Sequence, residues 1–161
     1  MIAGMVELRA LRPDDWELWR DLRLAALAEA PYAFGSSLAD WRDAPEESWR
    51  DRLSIPGARD LVAYRAGEPA GMATGVPTAD GSVEVISVWV APAARGHGVG
   101  DALLAEIVSW AAAAGATAVR LSVKPSNTAA IRLYERAGFV HTGPSEDDPE
   151  EIGMVRPVTT T

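Results

Sequence analysis

Along the chain, apolar positions alternate between the spacing of a strand and the spacing of a helix. Met5 to Leu11 is short and β-compatible and stops at Pro13, where Asp14 and Asp15 supply the acidic first turn of a helix. Leu18, Leu22, Ala25 and Ala26 then recur at helical spacing toward Glu29. An aromatic-bearing loop leads into a second helix predicted from about Pro45, with Trp49 and Leu53 one turn apart. Asp60 to Arg65 and Ala70 to Val76 read as strands around the turn Gly67-Glu68-Pro69, and Asp80-Gly81 signals a hairpin into a third strand, Val83 to Val90. Leu103, Leu104, Ile107, Val108 and Ala111 form a helical apolar stripe that Gly115 stops. Ala118 to Val123 is the next strand, and a helix follows from about Ser126 to Ala137, closed by Gly138. Phe139 to Thr142 and Ile152 to Arg156 resemble two last strands around an acidic loop. The order β-α-α-β-β-β-α-β-α-β-β predicts a single α/β domain over residues 1–161. Its expected core is one mixed sheet of about seven strands, antiparallel early, parallel where a helix crosses over, with helices on both faces.

The stretch SVWVAPAARGHGVGDALLAEIV, Ser87 to Val108, places glycines at 96, 98 and 100 where an apolar strand turns into a helix. A helix start leaves backbone N–H groups unpaired and carries positive partial charge, so it holds an anion wherever no side chain blocks the approach. The spacing excludes two familiar anion loops. A P-loop requires Gly-Lys-Ser/Thr, whereas these glycines precede Asp101-Ala102, and a dinucleotide fingerprint requires glycine or alanine where Asp101 stands. What remains is Arg-x-x-Gly-x-Gly: Arg95, Gly98 and Gly100.

A second pattern lies downstream in SNTAAIRLYERAGF, Ser126 to Phe139. Asn127 and Tyr134 are seven residues apart with Ala130 between, so one face of a helix would carry two polar groups around a small residue. With these two motifs in this order, the chain resembles the GNAT superfamily of acyl-CoA-dependent N-acetyltransferases, and the strand order is also that family's. The resemblance covers almost the whole chain, although its specific motifs lie between Val88 and Phe139.

The resemblance implies acetyl-CoA as acyl donor and no metal. It implies that backbone N–H groups of Gly96, His97, Gly98, Val99, Gly100 and Asp101, opened by Arg95, bind pyrophosphate oxygens. The Val88-Trp89-Val90 backbone would pair with the pantetheine arm and the thioester carbonyl, with the Val90 N–H as oxyanion donor. Asn127 and Ala130 would line the cofactor channel, Tyr134 would protonate the departing sulfur, and Glu84 would serve as base, through water, for the incoming amine. A phenol is protonated at neutral pH, which suits the first role. Tyr32, Phe34 and Trp41 fall in the segment that shapes the acceptor pocket in the family. The six tryptophans otherwise read as packing residues, Trp16 and Trp19 sharing a helix face and Trp110 lying on the helix after the glycines.

Composition narrows the chemistry further. With no cysteine there is no disulfide, no thiolate metal site and no cysteine-borne acyl intermediate, so direct attack by an amine in a ternary complex is the economical route. His97 and His141 are the two histidines, far apart in sequence, and assemble no metal cluster. A net charge of −8 argues against general nucleic-acid binding and favours a cationic acceptor, either a small amine or a peptide. No apolar run reaches membrane-spanning length and the N-terminus has no export pattern, which suggests a cytoplasmic protein. A homodimer is left open. Two alternatives stand beside a small-amine acetyltransferase: an enzyme acting on a protein N-terminus or lysine, and a coenzyme A-binding sensor without turnover.

Overall fold

In a computed structural model, which describes residues 5–31, 37–146 and 148–158, the chain forms one seven-stranded sheet ordered β1-β2-β3-β4-β5-β7-β6. The strands are β1 (Val6–Ala10), β2 (Arg59–Arg65), β3 (Glu68–Pro77), β4 (Val83–Val90), β5 (Ala118–Val123), β6 (Val140–Pro144) and β7 (Ile152–Pro157). The helices are α1 (Trp16–Glu29), α2 (Leu38–Trp41), α3 (Glu46–Arg52), α4 (Val99–Ala113) and α5 (Thr128–Arg136). Every neighbouring pair is antiparallel except β4 and β5, which the α4 crossover makes parallel. The predicted order therefore holds, with one addition. Helix α2 is a four-residue turn closed by Ser37 and Asp40, each bonding the other's backbone N–H, and it is too short for periodicity to reveal.

The two faces of the sheet bury different material. Along Gly71-Met72-Ala73-Thr74-Gly75 in β3, the glycines and Ala73 face α4 and leave room for it. A Cβ at Gly75 would lie 2.8 Å from Trp110, and one at Gly71 would lie 3.1 Å from Val99. Val99, Leu103, Leu104, Ile107 and Ala111 of α4 fill that face together with Leu61, Val83, Val85 and Val119. Met72 faces the other way, into a core built from Trp19, Leu22 and Ala26 of α1, Trp49 of α3, Val62 and Trp89. Trp19 and Trp49 are fully buried, in keeping with packing roles.

Strand β4 crosses from one core to the other through a bulge. Thr74 pairs with Ile86, but Met72 pairs with Trp89, so β4 holds one extra residue. Ser87 takes it up at φ +56°, in the left-handed region that a side chain makes costly, by about 1–3 kcal/mol. Before the bulge Val83 and Val85 face α4. After it the parity is inverted: Trp89 faces α1, while Val88 and Val90 pack on the α4 side. Strand alternation predicts a continuous Val83–Val90 strand and gives no sign of this, because Ser87 is not a glycine.

The bulge bends β4 away from its parallel partner. β4 and β5 are paired only at Val83 with Val119 and Glu84 with Arg120, and beyond these residues the strands diverge. The sheet is thus split from the middle of β4 onward, and the gap opens on the start of α4 and on α5.

Candidate active site

The gap is a cleft of about 690 Å³, walled by β4 from Val85 to Val90, by the Arg95–Asp101 turn and by α5. Its size is that of a site for a bound small molecule. The three glycines at its floor are required for two different reasons. Gly96 and Gly98 both have φ +80°, and a Cβ at either would meet nothing within 4 Å, so they shape the backbone and leave the approach open. Gly98 is the N-cap of α4 and provides no side-chain cap, leaving the first amides of that helix unclaimed by a capping group. Gly100 is a packing glycine: its Cβ would lie 2.8 Å from Leu133 of α5 and 3.4 Å from Val90.

The charges at this end are basic in a chain that is acidic as a whole. Arg95, Arg132 and Arg136 line the cleft, and the one carboxylate among them, Asp101, has Arg136 at 3.4 Å. Sequence reading missed Arg132 and Arg136, although their spacing of four, one turn apart on the predicted helix, was available as a signal. Arg95 is not extended into the cleft as a ligand. Its Nε donates to the Val90 carbonyl at 3.1 Å and its terminal nitrogen to Glu29, whose carboxylate also accepts from Trp89 Nε1 at 3.0 Å. These contacts, Trp89 first, hold the Glu29 carboxyl below its ordinary value of 4.5. Arg95 therefore fastens the glycine turn to the end of α1. His97 is exposed on the turn and is absent from the cleft lining.

At Val90 the backbone of β4 turns away from β3 and toward the gap. Ala91 N–H donates to the Ala70 carbonyl of the β3 side at 2.8 Å. Because successive residues of a strand point their polar groups in opposite directions, the N–H and carbonyl of Val90 point away from β3. The Arg95 bond to the Val90 carbonyl agrees with this direction.

On the opposite wall, Tyr134 is 6% exposed, lines the cleft, and packs edge-on against Phe139 with ring centroids 6.1 Å apart. Burial pushes its phenol above the ordinary value of 10.0, so it keeps its proton at any working pH. Ala130 lines the cleft as expected, but Asn127 does so from a different place than the helix face predicted for it. Helix α5 begins at Thr128, and Asn127 is its N-cap, the side-chain oxygen accepting from Ala130 N–H at 3.3 Å. Capping takes the side chain that helical spacing alone had put beside Tyr134.

Glu84 lies outside the cleft, at the apex where β4 and β5 part. Its carboxylate faces Arg120 at 3.6 Å and is one quarter exposed. Trp41 is also absent from the cleft lining and packs on Trp49, centroids 4.8 Å apart. Tyr32 and Phe34 lie outside the described residues. On the α1 side of the bulge a polar cluster is buried that sequence reading did not foresee: Arg52, Asp60, Thr74 and Ser87, with Arg23 nearby, pulled down to about 10 by burial and by Arg52. Among the described residues no group of His, Asp and Glu could hold a metal ion, and no helix is long and apolar enough to cross a membrane.

A mixed sheet split between two parallel strands, with an open glycine turn and a buried tyrosine facing the gap, is an α/β arrangement with room for a bound molecule between its strands. Comparison with known proteins gives the family. The model of the acetyltransferase (GNAT) family matches residues 3–139, and the chain belongs to that family. A mycothiol acetyltransferase of Renibacterium salmoninarum is 33% identical over 136 residues, 83% of this chain and 40% of that protein. An IAA acetyltransferase of Azospirillum brasilense is 36% identical over 110 residues, 66% of this chain and 72% of that protein. Among solved structures, the spermidine N-acetyltransferase of Vibrio cholerae, in complex with CoA and spermine, has the same fold. Its TM-score is 0.76 at 20% identity, over 94% of this chain and 95% of that one. The chain spans less than half the length of the mycothiol acetyltransferases it matches.

Proposed function

We propose that this chain transfers an acetyl group from acetyl-CoA to a primary amine, by direct attack within a ternary complex. The observation that carries the proposal is the sheet gap: one edge offers unpaired β4 backbone, its floor is an uncapped helix start flanked by arginines, and its far wall holds a protonated phenol. Acetyl-CoA fits that arrangement at each point, with its pyrophosphate at Gly96–Asp101, its pantetheine arm along Val88–Val90 and its thioester near Tyr134. When bound, it supplies an activated acyl group and a thiol leaving group.

The protein's own groups do the rest. The Val90 N–H is aimed into the gap and donates to the oxygen on which negative charge develops as the amine attacks. Tyr134 faces the departing sulfur. Its buried phenol is a weaker acid than a thiol, whose ordinary pKa is about 8.5. It therefore acts first as a hydrogen-bond donor to the developing thiolate, and any proton it gives to the sulfur is replaced by the one the nitrogen loses after attack. Glu84, at the apex of the gap, is the group we assign to take, through water, the first proton, which an ammonium must lose before it can attack. The acceptor enters from the α1–α3 side, where Trp41 packs.

We take the acceptor to be cationic. Ser122, in the cleft wall, shares a hydrogen bond of 2.5 Å with Ser145, the first residue of the acidic SEDDPEE loop, which sets that loop beside the C-terminal end of β5. The spermidine acetyltransferase and the mycothiol acetyltransferases act on such different acceptors that neither fixes the choice. A screen of polyamines, amino sugars, basic peptides and neutral amines, with detection of released thiol, tests both proposals. Turnover is expected with a cation, and kcat/KM for it should fall as salt rises from about 0.01 to 0.3 M, over which the Debye length shrinks from roughly 30 to 6 Å. Preference for a neutral or anionic acceptor overturns the cationic assignment. Acetyl-CoA binding without turnover on any amine would move the protein to the class of CoA-binding sensors.

A further inference from the structure

The Ser87 bulge decides which β4 amide faces the gap. Were β4 regular beyond the Thr74–Ile86 pair, Met72 would face Val88, and alternation would turn the Trp89 N–H toward the gap in place of the Val90 N–H. The extra residue shifts everything after it by one. A serine at φ +56° has no intrinsic reason to stay there, so something must hold it.

The holder is a buried hydrogen-bonded network that spans three adjacent strands from α3. Arg52 NH2 donates to Ser87 Oγ at 3.1 Å and to Thr74 Oγ1 at 3.0 Å, while Arg52 NH1 donates to Asp60 Oδ1 at 2.9 Å. Thr74 Oγ1 in turn donates to Asp60 Oδ1 at 2.8 Å. Asp60 is in β2, Thr74 in β3 and Ser87 in β4, and Asp60 and Thr74 are register partners. The guanidinium lies over the Trp19 ring at 4.8 Å, with 13% of the Arg52 side chain and 3% of the Asp60 side chain exposed. Its plane is therefore fixed by one carboxylate, one hydroxyl and one indole face, which directs the second NH2 proton at Ser87. A planar fork can make these contacts together; a lysine ammonium cannot match the geometry.

We propose that Arg52, oriented by Asp60 and Thr74, is a positioning residue of the acyl-transfer site: it holds the Ser87 bulge and thereby aims the Val90 N–H at the thioester carbonyl. The proposal rests on the acetyltransferase reading. It does not require Arg52 to touch either substrate, and it assigns a catalytic consequence to Arg52, Asp60 and Thr74, none of which lines the cleft.

The test compares acetyl-CoA with CoA, because only the first has the carbonyl that the amide would hold. Calorimetry with both, and the infrared carbonyl stretch of carbon-13-labelled acetyl-CoA, are measured on the parent, Arg52→Met, Thr74→Val and the double variant Arg52→Met/Ser87→Gly. In Arg52→Met, acetyl-CoA affinity should fall about tenfold, the worth of one well-placed hydrogen bond, while CoA affinity holds. The stretch should move toward its value in water. Thr74→Val, which keeps the branched shape and removes the hydroxyl, should shift both readouts the same way by less, and it serves if Arg52→Met does not fold. Glycine adopts a positive φ without strain, so the double variant should regain part of the stretch. Equal weakening of acetyl-CoA and CoA, or an unmoved stretch in folded Arg52→Met and Thr74→Val, overturns the proposal. A parent that binds neither ligand overturns the acetyltransferase reading itself and this proposal with it.

Discussion

The two halves of the molecule on either side of β4 are built on different principles. On the α4–α5 side the site is made of backbone: glycines at φ +80°, an uncapped helix start, and strand amides left without a partner by the gap. The α1–α3 side is made of side chains, with tryptophans packed around Met72 and with Arg52 and Asp60 bonded to each other and to Thr74. Backbone recognition needs a glycine at a definite position, so it leaves a motif in the sequence. Side-chain recognition can be met by many residue combinations, so it leaves none.

That contrast can be broken most sharply at Tyr134, a buried side chain that lines the backbone-built half. Tyr134→Phe retains the ring against Phe139 and removes the donor, so kcat should fall by about a hundredfold or more with acetyl-CoA affinity little changed. Equal kcat in a folded Tyr134→Phe protein would remove the tyrosine from the chemistry.

Gly98→Val should have the next largest effect and the opposite signature. Valine at φ +80° is strained, and its side chain would stand in the open approach to the first amides of α4, so affinity for CoA and acetyl-CoA alike should drop on the order of tenfold to a hundredfold. Unchanged calorimetric affinity in a folded variant would show that the helix start is not the anion site.

The smallest expected effect is at the joint between the halves. Glu29 ends α1 and ties Trp89 of β4 to Arg95 of the glycine turn. Its folded pKa is depressed, so the stability it contributes is fully present above its unfolded value near 4.5 and is lost as pH falls through the lower folded value. Glu29→Gln should therefore melt below the parent at pH 7, and the two curves should converge in acid. It should weaken CoA binding a few-fold by loosening the turn. Parallel melting curves from pH 7 down to pH 3 would mean that Glu29 is not the titrating tie.

Most of the fold was legible because alternation and helical spacing record burial on one face of an element at a time. The α4 stripe, Leu103, Leu104, Ile107, Val108 and Ala111, lies on the sheet as its spacing predicts. The site was legible where it depends on conformation that only glycine accepts, at Gly96 and Gly98. Asn127 was misplaced by one structural step, since a cap and the first turn of a helix have the same sequence signature until the chain is seen to begin turning.

The sequence by itself determined the element order, the family and the glycine turn at the start of α4, because each is encoded by residues close together in the chain. The tertiary structure alone decided the bulge at Ser87 and hence the face to which Trp89 belongs. It also decided the splay between β4 and β5 and the four-residue network that supports the bulge. The physical reason is that Ser87 is not locally inclined to φ +56°. It is held there by Arg52, thirty-five residues earlier, and by Thr74 and Asp60 on two other strands. No local pattern records a strain whose compensation arrives from elsewhere in the fold.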